Sequence, residues 1–485
     1  MIAISARESA IHADRAFLGH PKGLAFLSIT EGFERFSYYG MIALLVLYMN
    51  GQLLKPGHVE HVVGLSVLRP ILEAVFAGGA HYSNQQLSSA IYLVYSSTVY
   101  LTPLLGGLIA DRVGRTGTII VGASVMALGH FLMAFDASFL LALVCLMIGA
   151  GCLKGNIATQ VGALYSAGDT RRADGFQIFY LGINGGVIFG PMITGYLGQG
   201  IAWHYGFGAA GVAMLIALLI YLGGLKHLPP DPPRGAKARA EAKAQAGPRA
   251  AMTSREVAVL VLLALLLPVL ALSIVGNNQI YNTYLVWAQA NADLHFLGIT
   301  ILTSQMLSVD SIVSVACLVG MVMFWRAWKT RFREPDELGK IAIGCFFGAA
   351  GVACLAAGAA LTPAGQKVSF NWLLAFHLLN DIGFANVLPV GLALFSRAAP
   401  KAIAGLVIGF YYLHFWAGNI LVGYLGTLYE KMTPVQFWMI HVAMVGGAGV
   451  VFVVVRLLFG RLLLASEEVE PDMSTVAIAD AQRTP

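Results

Sequence analysis

Long apolar segments dominate the chain and are separated by short polar stretches. A helix that spans the hydrocarbon core of a bilayer needs about 20 mostly apolar residues, and twelve segments satisfy this requirement. They cover residues 23–50, 85–109, 117–136, 138–165, 174–198, 204–226, 256–288, 297–326, 340–361, 370–397, 402–427 and 434–459. The pattern therefore predicts an all-α membrane protein with 12 transmembrane helices.

The charges of the loops between these segments predict how the chain is oriented. Loops rich in Lys and Arg alternate with loops that carry few basic residues. The basic loops contain Arg112, Arg115, Arg171, Arg172, Arg326, Lys329, Arg331, Arg397 and Lys401. Because short loops rich in Lys and Arg remain in the cytoplasm, both termini are expected to be cytoplasmic.

One basic loop is longer than the others and divides the spans into two groups of six. Pro229 and Pro230 end any helix that enters it, and its remainder is predicted to be either a short surface helix or a flexible tether. Residues 51–83 are expected to form a long external loop with a helix around 62–76. The expected organisation is an N-terminal six-helix bundle (1–225), a cytoplasmic basic linker (226–255), a C-terminal six-helix bundle (256–460) and a disordered cytoplasmic tail (461–485).

The composition agrees with a membrane protein. The 485 residues are 58% hydrophobic and 11% charged, whereas soluble domains carry about 25% charged residues. With a mean hydropathy of +0.73, the surplus apolar surface needs the lipid bilayer as its solvent. The basic loops account for the net charge of +5, which therefore does not indicate nucleic-acid binding. All five cysteines lie in apolar segments and are expected to be free.

The first span contains a cluster of charged residues. Glu31, Glu34, Arg35 and Tyr38 have the spacing i, i+3, i+4 and i+7, which places them on one face of a helix. Each charge inside a membrane costs roughly 2.5–3.5 kcal/mol, so the three should pair and face a wet cavity. A structural ion pair needs only one acid. The second acid is left over, and burial favours its neutral form, which predicts a proton carrier and hence a proton-driven secondary transporter.

Five further polar residues lie within predicted spans. Lys154 is expected to face a cavity and attract carboxylates, although a lysine can also extend its amine to the membrane surface. Asn184 is interpreted either as a contact between helices or as a ligand-binding residue. Tyr95 is a candidate for lining a pore, against the alternative of simple packing. Asp310 and Asp381 are candidates for proton coupling because acids inside membranes are costly to retain.

Two motifs resemble known families. Residues 107–115, with Gly107, Asp111, Arg112 and Arg115, resemble the G-x-L-x-D-R-x-G-R loop of the major facilitator superfamily, and we expect them to form a cytoplasmic gate motif. Residues 31–40 resemble the E-x-x-E-R-F-x-Y-Y-G motif of the proton-dependent oligopeptide transporter family. The second resemblance extends over about residues 22–459 and implies the major facilitator fold, with two six-helix bundles.

The resemblance also implies roles and a function. Glu31, Glu34, Arg35 and Lys154 would couple transport to protons, and Lys154 would pair with an acid or hold a peptide carboxylate. The residues implied to line a peptide pocket are Tyr38, Tyr39, Tyr95, Asn184 and Lys154. The implied activity is proton-coupled symport of di- and tripeptides by alternating access, by a monomer in the bacterial inner membrane. The proton gradient would drive it, without cofactors or metals.

The second half departs from the family pattern. Asn278 occupies a position where the family often has an acid, Phe384 replaces an expected acid, and Tyr411 replaces a tryptophan. Asn278 and Tyr411 remain substrate-binding candidates at these positions. Asp381 lies one helical turn before Phe384, and the hypothesis is that Asp381 replaces the missing acid as the partner of Lys154.

Three other interpretations remain. The altered second half could suit a different cargo, such as nitrate, an amino-acid derivative or another small organic anion. A membrane enzyme is disfavoured, because the 12 His are scattered and no catalytic or metal-binding motif is present. A sensor that binds its ligand without transporting it would carry the same residues.

Overall fold

The computed structural model describes residues 2–166, 168–231, 252–400 and 403–464, and these are mostly helical. Among them, eleven helices are long and apolar enough to cross a membrane. Helix α2 (Lys22–Tyr48) adds a twelfth long helix, whose hydropathy is lowered by Glu31, Glu34 and Arg35. Most of the predicted linker, from residue 232 to 251, and the predicted tail from residue 465 lie outside the described residues.

The helices of the first half follow the predicted spans closely. In chain order they are α1 (Ile2–Ala13), α2, α3 (Leu65–Phe76), α4 (Asn84–Val113), α5 (Arg115–Leu132), α6 (Phe139–Leu153), α7 (Asn156–Ala163), α8 (Arg171–Gly195) and α9 (Trp203–Gly224). Helix α3 is the helix that the pattern of the long external loop predicts. Within this half, α2 packs against α8 and α9, and α5 packs against α6 and α9.

The second half contains helices and one short hairpin. The helices are α10 (Ser254–Ser273), α11 (Val275–Asn278), α12 (Thr283–Asn291), α13 (Met306–Trp328), α14 (Glu337–Leu361), α15 (Phe370–Ala398), α16 (Ala404–Tyr411), α17 (Leu413–Leu428) and α18 (Pro434–Leu464). The strands β1 (His295–Phe296) and β2 (Ile299–Thr300) pair antiparallel. Helix α14 packs against α15 and α18, and α10 packs against α17 and α18.

The hairpin shows that the predicted start of the eighth span is wrong. The span is expected to begin at residue 297, but Leu297 and Gly298 have φ angles of 49° and 79° and turn the chain between β1 and β2. Membrane helix begins only at Met306. Hydropathy alone does not distinguish an apolar leucine at the tip of a tight turn from the first residue of a span, which explains the error.

Two of the predicted spans are interrupted. Helix α6 ends at Leu153, Lys154 has an extended ψ of 129°, and Gly155 has a φ of 84° before α7 begins. The seventh span is divided into α10, α11 and α12, with a break at Asn282. Glycine tolerates the positive φ at residue 155 without strain. Breaks of this kind occur inside membranes only where the freed backbone is buried in protein or lines a cavity.

Glycines bring the helix backbones of each half into contact. A Cβ at Gly186 of α8 would lie 2.1 Å from the carbonyl oxygen of Gly32 on α2, and one at Gly190 would lie 2.5 Å from that of Phe36. In the second half, a Cβ at Gly383 of α15 would lie 2.5 Å from the carbonyl oxygen of Gly344 on α14. Small residues spaced by four allow such close packing, which drives helix association in lipid.

The two halves meet through α4 with α17 and through α8 with α13. We call the side that carries Arg112, Arg171, Arg326 and Arg397 the basic-loop face, and the other side the opposite face. Hydrogen bonds join the halves toward the opposite face. They run from Gln86 to the Thr427 carbonyl (3.0 Å), from Ser89 to Asn282 (3.2 Å), from Ser308 to the Ile188 carbonyl (2.6 Å) and from Gln305 to the Met192 carbonyl (3.1 Å).

A buried carboxylate holds the loop on the opposite face. Glu73 of α3 accepts hydrogen bonds from the backbone N–H of Tyr82 (3.0 Å) and from Arg69 (2.8 Å), and it pairs with His81 (2.9 Å). Burial alone would raise the pKa of Glu73, but these donors lower the pKa to about 2. The loop is therefore tied to the start of α4 across the neutral pH range.

Gly186→Ala is expected to separate α2 from α8. Its new methyl group would meet backbone atoms, which cannot rotate away, and overpacking of this kind costs about 1–3 kcal/mol. Gly185→Ala is the matched control, because a Cβ there meets nothing within 4 Å. Thermal unfolding in detergent should show a lower midpoint for Gly186→Ala only. Equal midpoints for the two variants would contradict the close contact.

Candidate functional site

Arg35 binds two acids of its own helix unequally. Its Nε and Nη2 atoms donate to Glu31 Oε1 at 2.9 and 2.7 Å. Arg35 Nε also lies 3.0 Å from Glu34 Oε2, but its hydrogen is directed at Glu31. Among the described residues, neither oxygen of Glu34 accepts a hydrogen bond, although the side chain is 0% exposed. The site therefore contains one well-bonded carboxylate and one buried carboxylate held by charge alone.

Helix α2 orients these side chains through its other face. Ser37 donates to the Ala210 carbonyl of α9 at 2.8 Å, while Gly32 and Phe36 contact the glycines of α8. The remaining face carries Glu31, Glu34, Arg35 and Tyr38. Their spacing along the sequence predicts this common face, and the ion pair between Glu31 and Arg35 follows from it.

Lys154 approaches this cluster from the break between α6 and α7. Its Nζ atom lies 4.3 Å from the ring centroid of Tyr38 and 5.3 Å from that of Tyr100. The charges of Glu31, Glu34 and Arg35 all act on it. No carboxylate of the described residues lies within ion-pair distance of Lys154, so aromatic faces are its immediate partners.

Tyrosines surround the charged cluster. The rings of Tyr38 and Tyr39 have centroids 5.3 Å apart, and Tyr39 lies 6.1 Å from Tyr281 of the other half. Tyr95 is 1% exposed, its hydroxyl has no hydrogen-bond partner among the described residues, and the charge of Glu34 acts on it. The structure thus brings together Tyr38, Tyr39 and Tyr95, and their role in binding a peptide stays a prediction. Sequence reasoning missed Tyr281, which follows the polar run of the seventh span.

Three predicted substrate-binding residues are placed differently. Asn184 is half-buried on α8, and its amide donates to the Tyr180 carbonyl at 3.0 Å. Asn278 is buried at the end of α11. Tyr411 is 0% exposed, and its hydroxyl donates to the Leu388 carbonyl at 2.7 Å. Its ring packs within the second half, so the structure does not bring Tyr411 to the tyrosines around Lys154.

The predicted pair between Lys154 and Asp381 is not formed. Lys154 is held between aromatic rings of the first half, whereas Asp381 on α15 lies in the field of Asp310 on α13. Asp310 accepts a hydrogen bond from His377 at 2.8 Å. Helical spacing predicts which residues share a face of α15, but it does not define which other helix that face contacts.

The predicted gate motif forms the turn between α4 and α5. Gly114 has a φ of 107° and separates the two helices, and Arg115 contacts Asp111 at 3.4 Å. Arg112 is exposed, and a Cβ at Gly107 would meet nothing within 4 Å. These residues lie on the basic-loop face.

Comparison with known proteins identifies the family and the fold. A family model described as the POT family matches residues 116–256 and 237–440. The peptide transporter YePEPT of Yersinia enterocolitica is 28% identical over 508 residues, covering 91% of this chain and 95% of that protein. A di-/tripeptide transporter of Lactococcus lactis is 27% identical over 514 residues, covering 93% and 97%.

Solved structures agree with the family match. A crystal structure of a peptide transporter POT in complex with sulfate has a TM-score of 0.79 at 24% identity, with 94% of this chain and 99% of that chain covered. A POT family transporter in complex with 5-aminolevulinic acid has a TM-score of 0.74 at 20% identity, with 91% and 97% covered. These likenesses confirm the predicted major facilitator fold. The chain is therefore a transporter rather than an enzyme, and it belongs to the POT family.

Proposed function

We propose that the chain is a secondary active transporter that carries di- and tripeptides together with protons by alternating access. The observation that carries this proposal is the unequal pairing of Arg35, which leaves Glu34 buried without a hydrogen bond from any described residue. The names of the relatives from Yersinia and Lactococcus support peptides as the cargo. No cofactor is required, because the proton gradient supplies the free energy.

The charges around Arg35 link proton binding to substrate binding. With both acids ionised, Glu31, Glu34, Arg35 and Lys154 are neutral overall. A proton on Glu34 removes one negative charge and breaks no hydrogen bond, since Glu34 accepts none among the described residues. The cluster then carries one unit of positive charge. In a site of low dielectric constant this charge attracts an anion strongly, so protonation of Glu34 favours the arrival of a carboxylate.

Lys154 is the group that would hold this carboxylate. Its contacts with the rings of Tyr38 and Tyr100 stabilise it by about 0.5–2 kcal/mol. A hydrogen bond to a charged group contributes about 1.5–3 kcal/mol. A peptide carboxylate can therefore displace the aromatic contacts, and the tyrosines remain beside the backbone of the peptide.

The contacts between the halves fit alternating access. The bundles expected at residues 1–225 and 256–460 would move as two units, rocking about the site between them. Hydrogen bonds between α4 and α17 and between α8 and α13 close the opposite face. We place both termini in the cytoplasm and the protein, as a monomer, in the bacterial inner membrane, with the basic-loop face inward.

A second candidate cargo is a small organic anion or a peptide-like compound. The second half supports it, because Asn278 and Phe384 leave the seventh and tenth spans without the acids that the family resemblance implies. Without an acid at these two positions to bind a peptide amine, Lys154 would still recognise a carboxylate. Competition for uptake between labelled dialanine and small monocarboxylates separates the two cargoes.

Glu34→Gln is expected to abolish proton-driven accumulation. Glutamine keeps the shape of the side chain but cannot gain or lose a proton. In liposomes with an inward proton gradient, the unaltered protein should concentrate labelled dialanine, and the variant should not exceed equilibration. Glu60→Gln, in the loop between α2 and α3, is the control and should accumulate normally. Accumulation by Glu34→Gln equal to that of the control would refute the coupling role.

Lys154→Gln is expected to remove the preference for a free carboxylate. The loss of a charge-assisted hydrogen bond corresponds to a roughly 10- to 150-fold weaker binding of dialanine. Dialanine amide, which has no carboxylate, should bind to both proteins with similar affinity. Binding would be measured by competition against labelled peptide. An equal loss for dialanine and its amide would show that Lys154 acts on folding or on another group.

A disulfide between α4 and α17 is expected to stop transport. A Cβ at Gly426 would lie 2.9 Å from the Cβ of Ser89, so a slight separation brings a cysteine pair into the disulfide range of about 3.5–4.5 Å. In the variant Ser89→Cys/Gly426→Cys, oxidation should block dialanine uptake and reduction should restore it. Each single variant is a control for the five native cysteines. Uptake that continues in the cross-linked protein would contradict alternating access.

A further inference from the structure

Four ionisable side chains meet inside the second half. His377 of α15 donates from Nδ1 to Asp310 Oδ1 of α13 at 2.8 Å, and its Nε2 lies 2.8 Å from the hydroxyl of Tyr284 on α12. Asp381 follows His377 by one helical turn. It is close enough to Asp310 for the charges of the two carboxyl groups to interact. Three helices therefore contribute to one polar cluster.

The cluster is buried but incompletely bonded. His377 is 0% exposed, Asp381 1% and Asp310 7%. Neither carboxylate oxygen of Asp381 has a hydrogen-bond partner among the described residues. An isolated ionised carboxylate is very costly to bury, and no Lys or Arg of the described part of the chain forms an ion pair with Asp310 or Asp381. With both acids ionised and the imidazole neutral, the cluster would carry two uncompensated negative charges. It must therefore hold at least one further proton.

The hydrogen bonds of His377 allow a proton to be gained or lost without movement of heavier atoms. Nδ1 donates to Asp310 in both states. When the imidazole is neutral, Nε2 accepts from the hydroxyl of Tyr284. When it is protonated, Nε2 donates and the hydroxyl accepts, because a tyrosine hydroxyl can do either. A proton gained at Nε2 thus changes only the direction of one hydrogen bond. Nδ1 can then pass its own proton to the Asp310 carboxylate that it faces, so that either the imidazole or a carboxyl group of the cluster holds the added proton. On release the proton leaves by the same atoms.

Other titratable groups face the cluster from the surrounding elements. Besides Tyr284 of the cluster itself, they are Tyr39 of α2, Tyr281 before α12 and Cys317 of α13, each close enough to Asp310 or Asp381 for the charges to interact. Tyrosine and cysteine side chains are uncharged near neutral pH. On α18, His441 contacts Gln279 at 3.0 Å and is held by that residue. His377 is therefore the cation that can balance Asp310 and Asp381.

Tyr39 connects this cluster with the charged residues of the first half. Both Arg35 and Asp310 are close enough to Tyr39 for their charges to act on its hydroxyl. The ring of Tyr39 contacts that of Tyr281. The surface between the halves therefore has an ionisable group on each side. A change of charge on one side alters the electrostatic free energy of the other, which is the requirement for coupling two proton sites to one movement.

We propose that Asp310, His377 and Asp381 form a second proton-binding site in the C-terminal half, which takes up and releases a proton as the two halves rearrange. As a part of the transport cycle, this site rests on the proposed function, but proton binding itself does not. The experiments below therefore measure proton binding without peptide first and transport second.

The first experiment records infrared difference spectra of the protein in lipid between high and low pH, without peptide. The signal is the C=O stretch of carboxyl groups that gain a proton. Asp381→Asn should lose the signal of one carboxyl group, and His377→Gln should change it, because the imidazole no longer shares the charge. His441→Gln is the matched control: His441 is equally buried and hydrogen-bonded but has no carboxylate partner.

Thermal unfolding verifies that each variant is folded, and the isosteric Asp310→Asn substitutes for any that is not. An unchanged spectrum in folded Asp381→Asn and His377→Gln would overturn the proposal. So would an equal change in His441→Gln, because the effect would then not be specific to the cluster.

The second experiment measures the number of protons moved per dialanine from the membrane potential at which net transport stops. Asp381→Asn should move one proton fewer than the unaltered protein. An unchanged ratio would exclude the site from the transport cycle and overturn that part of the proposal. If the unaltered protein shows no gradient-driven uptake while the infrared signal is lost in Asp381→Asn, the proposed function fails and the proton-binding site stands.

Discussion

A partly buried arginine that must satisfy its charge is the constraint on which the rest of the site depends. Guanidinium remains protonated in proteins, so Arg35 needs a carboxylate, and Glu31 supplies it with two hydrogen bonds. Once that demand is met, Glu34 is surplus, and its charge can be switched without breaking the pair. Lys154 then has no acid to itself and rests against tyrosine rings. The order of these dependencies explains why two acids and two bases, rather than one pair, occupy the centre of the molecule.

Much of this could be predicted from the sequence, because the information is local. Apolar length predicts the spans, and the spacing of Glu31, Glu34 and Arg35 predicts their shared face and their pairing. Long-range contacts could not be predicted. The contact of His377 with Asp310 depends on how α15 is rotated against α13, which periodicity within α15 does not define. The same limitation explains the incorrect pairing of Lys154 with Asp381. The break beside Lys154 had a local signal, the glycine at residue 155, but glycines are also common in unbroken membrane helices.

The two kinds of contact in the structure have different mechanical properties. Within each half, backbones touch directly at glycines such as Gly186 and Gly383, and van der Waals contacts of this kind hold helices at a set distance. Between the halves, α17 also touches α4 at a glycine, since a Cβ at Gly423 would lie 2.9 Å from the carbonyl oxygen of Ser89. Side chains such as Gln86 and Ser308 add hydrogen bonds to backbone carbonyls there. Those hydrogen bonds can be exchanged for water at little net cost. The hydrogen bonds are therefore the part of the contact between the halves that separates most readily.

The break at Gly155 places Lys154 between two helices rather than within one continuous helix. The segments α6 and α7 lie on either side of it, and Gly155, with a φ of 84°, separates them. A ligand that binds the lysine amine thus acts directly at the interruption of the span. Its effect does not have to pass along a continuous helix. Any ligand that moves the amine away from the rings of Tyr38 and Tyr100 also exerts a force on the break in the fourth span. If Lys154 holds the substrate carboxylate as proposed, recognition takes place at the interruption of the fourth span itself, and a longer or differently placed base would separate the two.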